Sequence, residues 1–229
     1  MTNILLSRGI IHHPHIFSHL KEYIKETDKV VILAFSFFPL WVPSKEAYDE
    51  IYEKGGEYYQ KMVDSFIPYG IPESNITWIH YFKDNQESAI KKIKQADIIY
   101  FPGGAPDLMM DRIREFGIKE VLEEHKHIFI GSSAGAMIQF KNYHISKDQD
   151  YHRFSYEEGL DLLKGFSIEV HYRRKKTQKR ALRKVNRAFY QPIYTIPDDS
   201  AIIVNQAGVK LIFNAKKTYH QKGVVRRNT

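Results

Sequence analysis

Apolar positions along the chain change their period several times, and the changes recur in a fixed order. Asn3–Ile10 is apolar enough for a first strand, after which Ile16, Phe17, Leu20, Tyr23 and Ile24 return at helical spacing. Lys29–Phe38 is a continuous, β-branched apolar run, the kind a parallel strand shows when helices cover both faces of its sheet. Ser44 is placed to cap a helical stretch that reaches Ile67, is broken or bent at Gly55-Gly56, and is closed by Pro68-Tyr69-Gly70. The pattern then predicts strand over Ile76–Phe82, helix over Asn85–Gln95 and strand over Asp97–Phe101. One or two helices over Asp107–His125 and a strand over His127–Ile130 complete the series. This alternation predicts an α/β protein with a mostly parallel, doubly wound sheet and helices on both faces.

The C-terminal third changes character. Phe166–Tyr172 reads as strand and Lys175–Phe189 as helix, and short strands follow at Ile193–Thr195, Ala201–Asn205 and Val209–Phe213, with Gln206-Ala207-Gly208 as a hairpin loop. No internal repeat, low-complexity linker or composition break marks a boundary, so residues 1–229 are expected to form a single α/β domain.

One junction carries chemistry. The apolar strand ending at Ile130 runs into Gly131-Ser132-Ser133-Ala134-Gly135-Ala136 and then into a helix-compatible stretch, Ala134–Phe140. That is Gly-x-Ser-x-Gly in the strand–turn–helix setting of a nucleophile elbow. The turn is so tight that the residues two before and two after the serine must be small. Only Ser133 has glycine at both positions, which makes it, rather than Ser132, the candidate nucleophile. The amide of Ala134, opening the helix, is then available to an oxyanion. His171, at the end of its own predicted strand, is the candidate general base, because both residues lie where strands of such a sheet end.

Three segments resemble the serine peptidases of the dipeptidase E and cyanophycinase family, whose fold is like that of class I glutamine amidotransferases. Asp97-Ile-Ile-Tyr-Phe-Pro-Gly103-Gly104 resembles the family's strand and glycine-rich oxyanion loop. Gly131-Ser-Ser133-Ala-Gly135-Ala matches its elbow, and Gly165-Phe-Ser-Ile-Glu-Val-His171-Tyr resembles the strand that ends in its catalytic histidine. The order and separations fit from the first strand to about Phe213. The resemblance implies Ser133 as nucleophile, His171 as base and the amides of Gly104 and Ala134 as oxyanion hole. It places the acid in the loop after the elbow helix, where Asp148 aligns best and Asp150 lies two residues on. After the glycines the family often carries Asn or Gln, whereas this chain has Ala105-Pro106-Asp107-Leu108, so the loop that helps hold substrate in relatives is altered.

Charge adds a second local feature. The chain carries 34 Lys and Arg against 27 Asp and Glu, a net +7. Nine of the basic residues fall between Arg173 and Arg187, and no acid occurs from Val170 through Pro197; the rest of the chain is at −2. Ala181, Leu182, Val185, Ala188 and Phe189 define a stripe to be buried, leaving the cations on the other face. Arg173, Arg174, Lys175 and Lys176 stand at the beginning of the helix, where positive side chains oppose the macrodipole, so Arg173 and Lys175 are expected to bind the anionic part of a small peptide substrate. Nucleic acid is the competing partner, but few aromatic residues flank the cluster and no recognition motif is present.

The remaining features narrow the classes. With no cysteine there is no thiol nucleophile, thiolate metal site or disulfide framework. His12-His13-Pro14-His15 lacks a carboxylate at ligand spacing, so no metal and no cofactor is expected, and these histidines are instead placed to line a substrate pocket. The longest uncharged run, Val30 to Ser44, is shorter than the roughly 18 residues of a membrane span and contains two prolines. The expectation is a soluble cytoplasmic serine exopeptidase, a monomer or homodimer without membrane partner, acting through Ser133, His171 and Asp148 on small, acidic peptides. The alternative is a noncatalytic relative that binds an anionic ligand or partner through the basic helix.

Overall fold

The structure, a computed structural model, describes residues 1–126 and 128–219. Its centre is a seven-stranded sheet. Five strands are parallel: β1 (Thr2–Leu6), β2 (Val30–Leu33), β3 (Ile76–Ile79), β4 (Ile98–Phe101) and β5 (Ile128–Ser132), lying side by side in the order β1-β5-β4-β2-β3. The first residue of the predicted fifth strand, His127, lies outside the described residues. Alternate side chains of each strand enter different cores. Ile4, Leu6, Val30, Ile32, Ile98, Tyr100 and Ile130 face one cluster, while Leu5, Val31, Leu33, Ile99, Phe101 and Phe129 face the other. Both clusters are covered by helices, which is why the strand sequences read as unbroken apolar runs.

The first cluster is closed by α1 (Pro14–Leu20) and α3 (Glu57–Phe66), through Ile16, Leu20, Met62, Val63 and Phe66. The second is closed by α4 (Gln86–Gln95), α5 (Pro106–Glu115), α6 (Lys119–Glu124) and the short elbow helix α7 (Ala134–Met137). The bend expected at Gly55-Gly56 is a full break: α2 (Lys45–Tyr52), whose Ser44 cap accepts from the Ala47 amide, ends there before α3 begins. Asn85 caps α4 reciprocally, its side chain accepting from the Ser88 amide at 2.9 Å and Ser88 Oγ accepting from the Asn85 amide at 3.0 Å.

Beyond α7 the topology departs from the simple repeat. A hairpin absent from the pattern reading, β6 (Asn142–Ile145) with β7 (Ser155–Glu158), follows the elbow helix. It was hidden because β7, Ser-Tyr-Glu-Glu, has little apolar content. The predicted strand at Phe166–Tyr172 is only β8 (Ser167–Glu169), which pairs with β9 (Ile193–Thr195) in a separate three-stranded sheet completed by β12 (Lys216–Tyr219). Helix α8 (Lys176–Phe189) lies between β8 and β9 in sequence. It buries Gln178, Ala181, Leu182 and Val185; of the stripe assigned from spacing, Phe189 is half-buried against Leu182 and Val185, whereas Ala188 is exposed. The chain then returns to the main sheet, where β10 (Ala201–Asn205) pairs antiparallel with β1, and β11 (Gly208–Ile212) closes the edge through a two-residue hairpin. Among the described residues no helix is long and apolar enough to cross a membrane.

Asn85→Ala removes the reciprocal cap of α4 and is expected to cost about 1 kcal/mol, lowering Tm by roughly 2–4 °C in a chain of this size. Thermal and urea unfolding of the two proteins measure it.

Candidate active site

The elbow is built by contact between backbones. A Cβ on Gly135 would lie 2.0 Å from the Phe101 carbonyl oxygen of β4, and one on Gly131 would lie 2.1 Å from the Gly135 carbonyl oxygen. The two glycines of Gly-x-Ser-x-Gly therefore let α7 sit directly on the ends of β4 and β5. Between them Ser133 takes φ 50° and ψ −110°, a conformation that a non-glycine residue adopts only when its surroundings impose it. Its amide still donates to the Leu6 carbonyl at 2.8 Å, which continues the β1–β5 pairing one step beyond the strand. Below the turn, Asn3 Nδ2 donates to Gln139 Oε1 at 3.0 Å and Gln139 Nε2 donates to the Gly135 carbonyl at 3.2 Å, all buried.

The histidine comes from a different sheet. His171 follows β8 with φ 50°, and a single serine fixes it against the main sheet. Ser7 Oγ, fully buried just beyond β1, accepts from the His171 amide at 2.9 Å and donates to the Ile196 carbonyl. From the other side Gln178 of α8 donates through Nε2 to the His171 carbonyl at 2.9 Å, while its Oε1 accepts from the Arg173 amide. The imidazole is thereby held with Nε2 2.8 Å from Ser133 Oγ.

The acid on the imidazole is Asp198, not Asp148. Asp198 Oδ1 lies 2.6 Å from His171 Nδ1. It stands in the turn after β9, where Ile196 is anchored to Glu169 and Tyr172 by backbone hydrogen bonds. Asp148 is spent on its own loop: its exposed carboxylate accepts from the amides of Asp150 and Tyr151 at 2.9 and 2.8 Å, and its amide donates to the Tyr151 carbonyl. Asp150 is likewise exposed in that loop. The resemblance placed the acid between serine and histidine in the chain, whereas the structure reaches past the histidine. A signal was present, since Asp198-Asp199 are the first acids after a stretch without any from Val170 through Pro197.

Arg173 also has a different neighbour from the expected substrate anion. Its guanidinium donates to Asp198 Oδ2 through Nη2 at 2.6 Å and Nε at 3.2 Å, and Arg8 stands 3.4 Å from the same oxygen. Partial burial pushes the Asp198 carboxyl up, but hydrogen bonds from His171 and Arg173, with the charges of His171 and Arg8, outweigh it and hold the group below the ordinary carboxylate range. An ionised Asp198 only accepts, so His171 Nδ1 must donate to it. In a neutral imidazole that leaves Nε2 as the acceptor for the Ser133 hydroxyl.

Gly104 and Ala134 flank the serine. A Cβ on Gly103 would be 3.4 Å from Ser133 Cβ, so the glycine loop lies against Ser133. Gly104 has φ 139°, and a Cβ there would meet the Ser36 carbonyl oxygen at 2.1 Å; Ser36 in turn donates to the Gly103 carbonyl at 2.6 Å and accepts from the Ala105 amide at 2.7 Å. Two cavities, of about 710 and 630 Å³, meet at Ser133, His171, Gly104 and Arg8. Lys175 lines the larger. Of the histidine cluster, His12 lines the smaller, its pKa lowered by burial and by His13, while His15 bonds the Asp199 carbonyl.

The family model of peptidase family S51 matches residues 4–212. The chain belongs to peptidase family S51. It is thus a peptidase and a serine hydrolase. A candidate peptidase E protein from Listeria monocytogenes EGD-e has a similar structure, with a TM-score of 0.65 at 17% identity, covering 95% of this chain and 98% of that one. A peptidase from an acI-B1 Actinobacterium superposes with a TM-score of 0.67 at 13% identity, covering 96% of this chain and 95% of the other. These two share the S51 member's fold. A comparison with curated proteins gives no significant match.

The ion pairs on Asp198 set a pH dependence. A carboxyl whose pKa is depressed in the fold contributes stability above its unfolded value of about 3.9 and loses it as pH falls through the folded value. Asp198→Asn is therefore expected to lower the urea midpoint at pH 7 and to cost progressively less on acidification below pH ~4. A wild-type-to-variant difference that stays constant down to pH ~2 would contradict the assignment.

Proposed function

We propose that this S51 member is a dipeptidase-like exopeptidase for small acidic peptides, working through Ser133, His171 and Asp198. The observation that carries the reading is the unbroken hydrogen-bonded line from Ser133 Oγ through the imidazole to Asp198 Oδ1, at 2.8 and 2.6 Å. His171 Nε2 takes the hydroxyl proton as Ser133 Oγ attacks the peptide carbonyl carbon. Negative charge moves to the carbonyl oxygen, where the amides of Gly104 and Ala134 receive it. The imidazolium, steadied by Asp198, then gives its proton to the leaving amine, and the C–N bond breaks to leave an acyl-serine. Water repeats the sequence and frees the acid.

Two cavities that meet at the serine offer room for a short substrate on it. Arg8 and Lys175, lining the larger cavity beside the Asp198–Arg173 pair, favour a negatively charged group there.

Wild-type protein is expected to be labelled by a fluorophosphonate at neutral pH, and Ser133→Ala to abolish the label. Asp198→Asn should reduce kcat by roughly 10³–10⁴ through loss of the correct imidazole tautomer, whereas Asp148→Asn should remain within about tenfold of wild type. Comparable losses in both variants, measured on N-terminal-Asp dipeptides, would count against Asp198 as the orienting acid.

A further inference from the structure

The altered segment after the glycines, Ala105-Pro106-Asp107, does not present a polar group to the nucleophile. Asp107 Oδ1 instead accepts from the Tyr151 hydroxyl at 2.5 Å. That bond ties the start of α5 to the loop after β6, the same loop whose turn is closed by Asp148. Tyr151 is thereby brought to 6.2 Å, centroid to centroid, from Phe38, and Phe38 lies 4.9 Å from Trp41.

The second half of this wall is also fixed from behind. Phe38 and Trp41 belong to the segment after β2, and Arg112 of α5 is buried beneath it. The Arg112 guanidinium donates to the carbonyls of Phe35 and Phe37 and lies 3.5 Å over the Phe37 ring. A buried cation placed on two loop carbonyls locks that backbone. Yet the ring it presents outward remains uncovered, with Trp41 63% exposed. Phe38, Trp41, Pro106, Met137, Ile145 and Tyr151 line the 710 Å³ cavity together with Ser133 and the cationic residues Arg8 and Lys175.

We propose that this wall is a subsite for an aromatic or large aliphatic side chain next to the scissile bond, so that the preferred substrate pairs an acidic residue with a large apolar one. The inference rests on the peptidase reading above and adds the second residue of the substrate. An apolar surface that reaches the nucleophile and is left open at Trp41 gains its full burial only when the substrate supplies the partner. The burial of one phenylalanine in place of alanine corresponds to roughly ten- to hundredfold in affinity.

The test reads binding without turnover. The full chain with Ser133→Ala and Trp78→Phe retains Trp41 as its only tryptophan. It is titrated with Asp-Phe, Asp-Ala, Phe-Asp and Ala-Asp while Trp41 emission is followed, with circular dichroism confirming the fold. One phenylalanine dipeptide should bind at least about tenfold more tightly than its alanine counterpart and shift the Trp41 emission to the blue. Trp41→Ser in the Ser133→Ala protein, followed by calorimetry, should erase most of that preference. Equal affinities for the phenylalanine and alanine peptides, an unaltered preference in Trp41→Ser, or no binding of any of the four would overturn the proposal. None of these results would alter fluorophosphonate labelling of the wild type, so failure of the subsite and failure of the serine chemistry remain distinguishable.

Discussion

The close approach of the elbow helix to the ends of two parallel strands is the constraint on which the rest depends. Gly135 against the Phe101 carbonyl and Gly131 against the Gly135 carbonyl leave no room for a side chain. The chain can turn from β5 into α7 there only by forcing Ser133 into a positive φ. That strain is tolerated because the neighbouring polar groups are satisfied: Asn3, Gln139 and the Gly135 carbonyl form a buried hydrogen-bonded chain beneath it. The hydroxyl that results is aimed by backbone geometry, and everything else at the site is brought to it. Ser7 brings the histidine, linking its amide to the Ile196 segment through one buried hydroxyl. Ser36 holds the glycine loop, its hydroxyl donating to the Gly103 carbonyl and its backbone carbonyl accepting from the Ala105 amide.

How much of this could be read in the sequence follows from where each interaction is encoded. The parallel sheet was legible because its inner strands are covered on both sides and declare themselves as runs such as Val30-Val-Ile-Leu33 or Ile98-Ile-Tyr-Phe101. The elbow was legible because glycine is needed at fixed offsets from the serine. Both are local requirements. Asp198 is not local: it reaches His171 only because β9 pairs in parallel with β8 and the chain then turns back toward β1. The pattern assigned short strands to that third of the chain, but which sheet each joins is decided by long-range pairing that spacing does not record. The hairpin of β6 and β7 was missed for a related reason: β6 buries Tyr143 and Ile145 but is only four residues long, and its half-exposed partner β7 is too polar to show an apolar alternation.

Fold membership and specificity separate along the same line. The elbow is made of glycines that a strand-to-helix junction requires, whereas the aromatic wall is assembled from two loops and a helix start. Loops positioned by a rigid scaffold can change their contact residues without disturbing the sheet. Asp107 illustrates this: at the start of α5, next to the glycine loop, its carboxylate accepts from the Tyr151 hydroxyl and so supports the apolar wall from behind.

The basic cluster acquires a different meaning once its first member is placed. Nine cations between Arg173 and Arg187 read as a surface awaiting an anion, and most of α8 is such a surface, with Lys179, Arg180, Arg183 and Arg187 exposed. Arg173, however, meets an anion of this chain. Asp198 divides its two oxygens, one to His171 and one to Arg173, with Arg8 beside the second. Partial burial pushes the carboxyl up; the His171 hydrogen bond and these cations outweigh it and hold the group below the ordinary carboxylate range, where an ionised carboxylate only accepts from the imidazole. An imidazole donating from Nε2 could not accept the serine proton. In the proposed mechanism the arginine therefore acts two bonds away from the chemistry, by keeping the acid ionised and the histidine facing Ser133 with a free electron pair. On that proposal the local excess of positive charge belongs, at its start, to the electrostatics of the His171–Asp198 pair, which leaves Arg8 and Lys175 at the cavity wall as the cations for an acidic substrate.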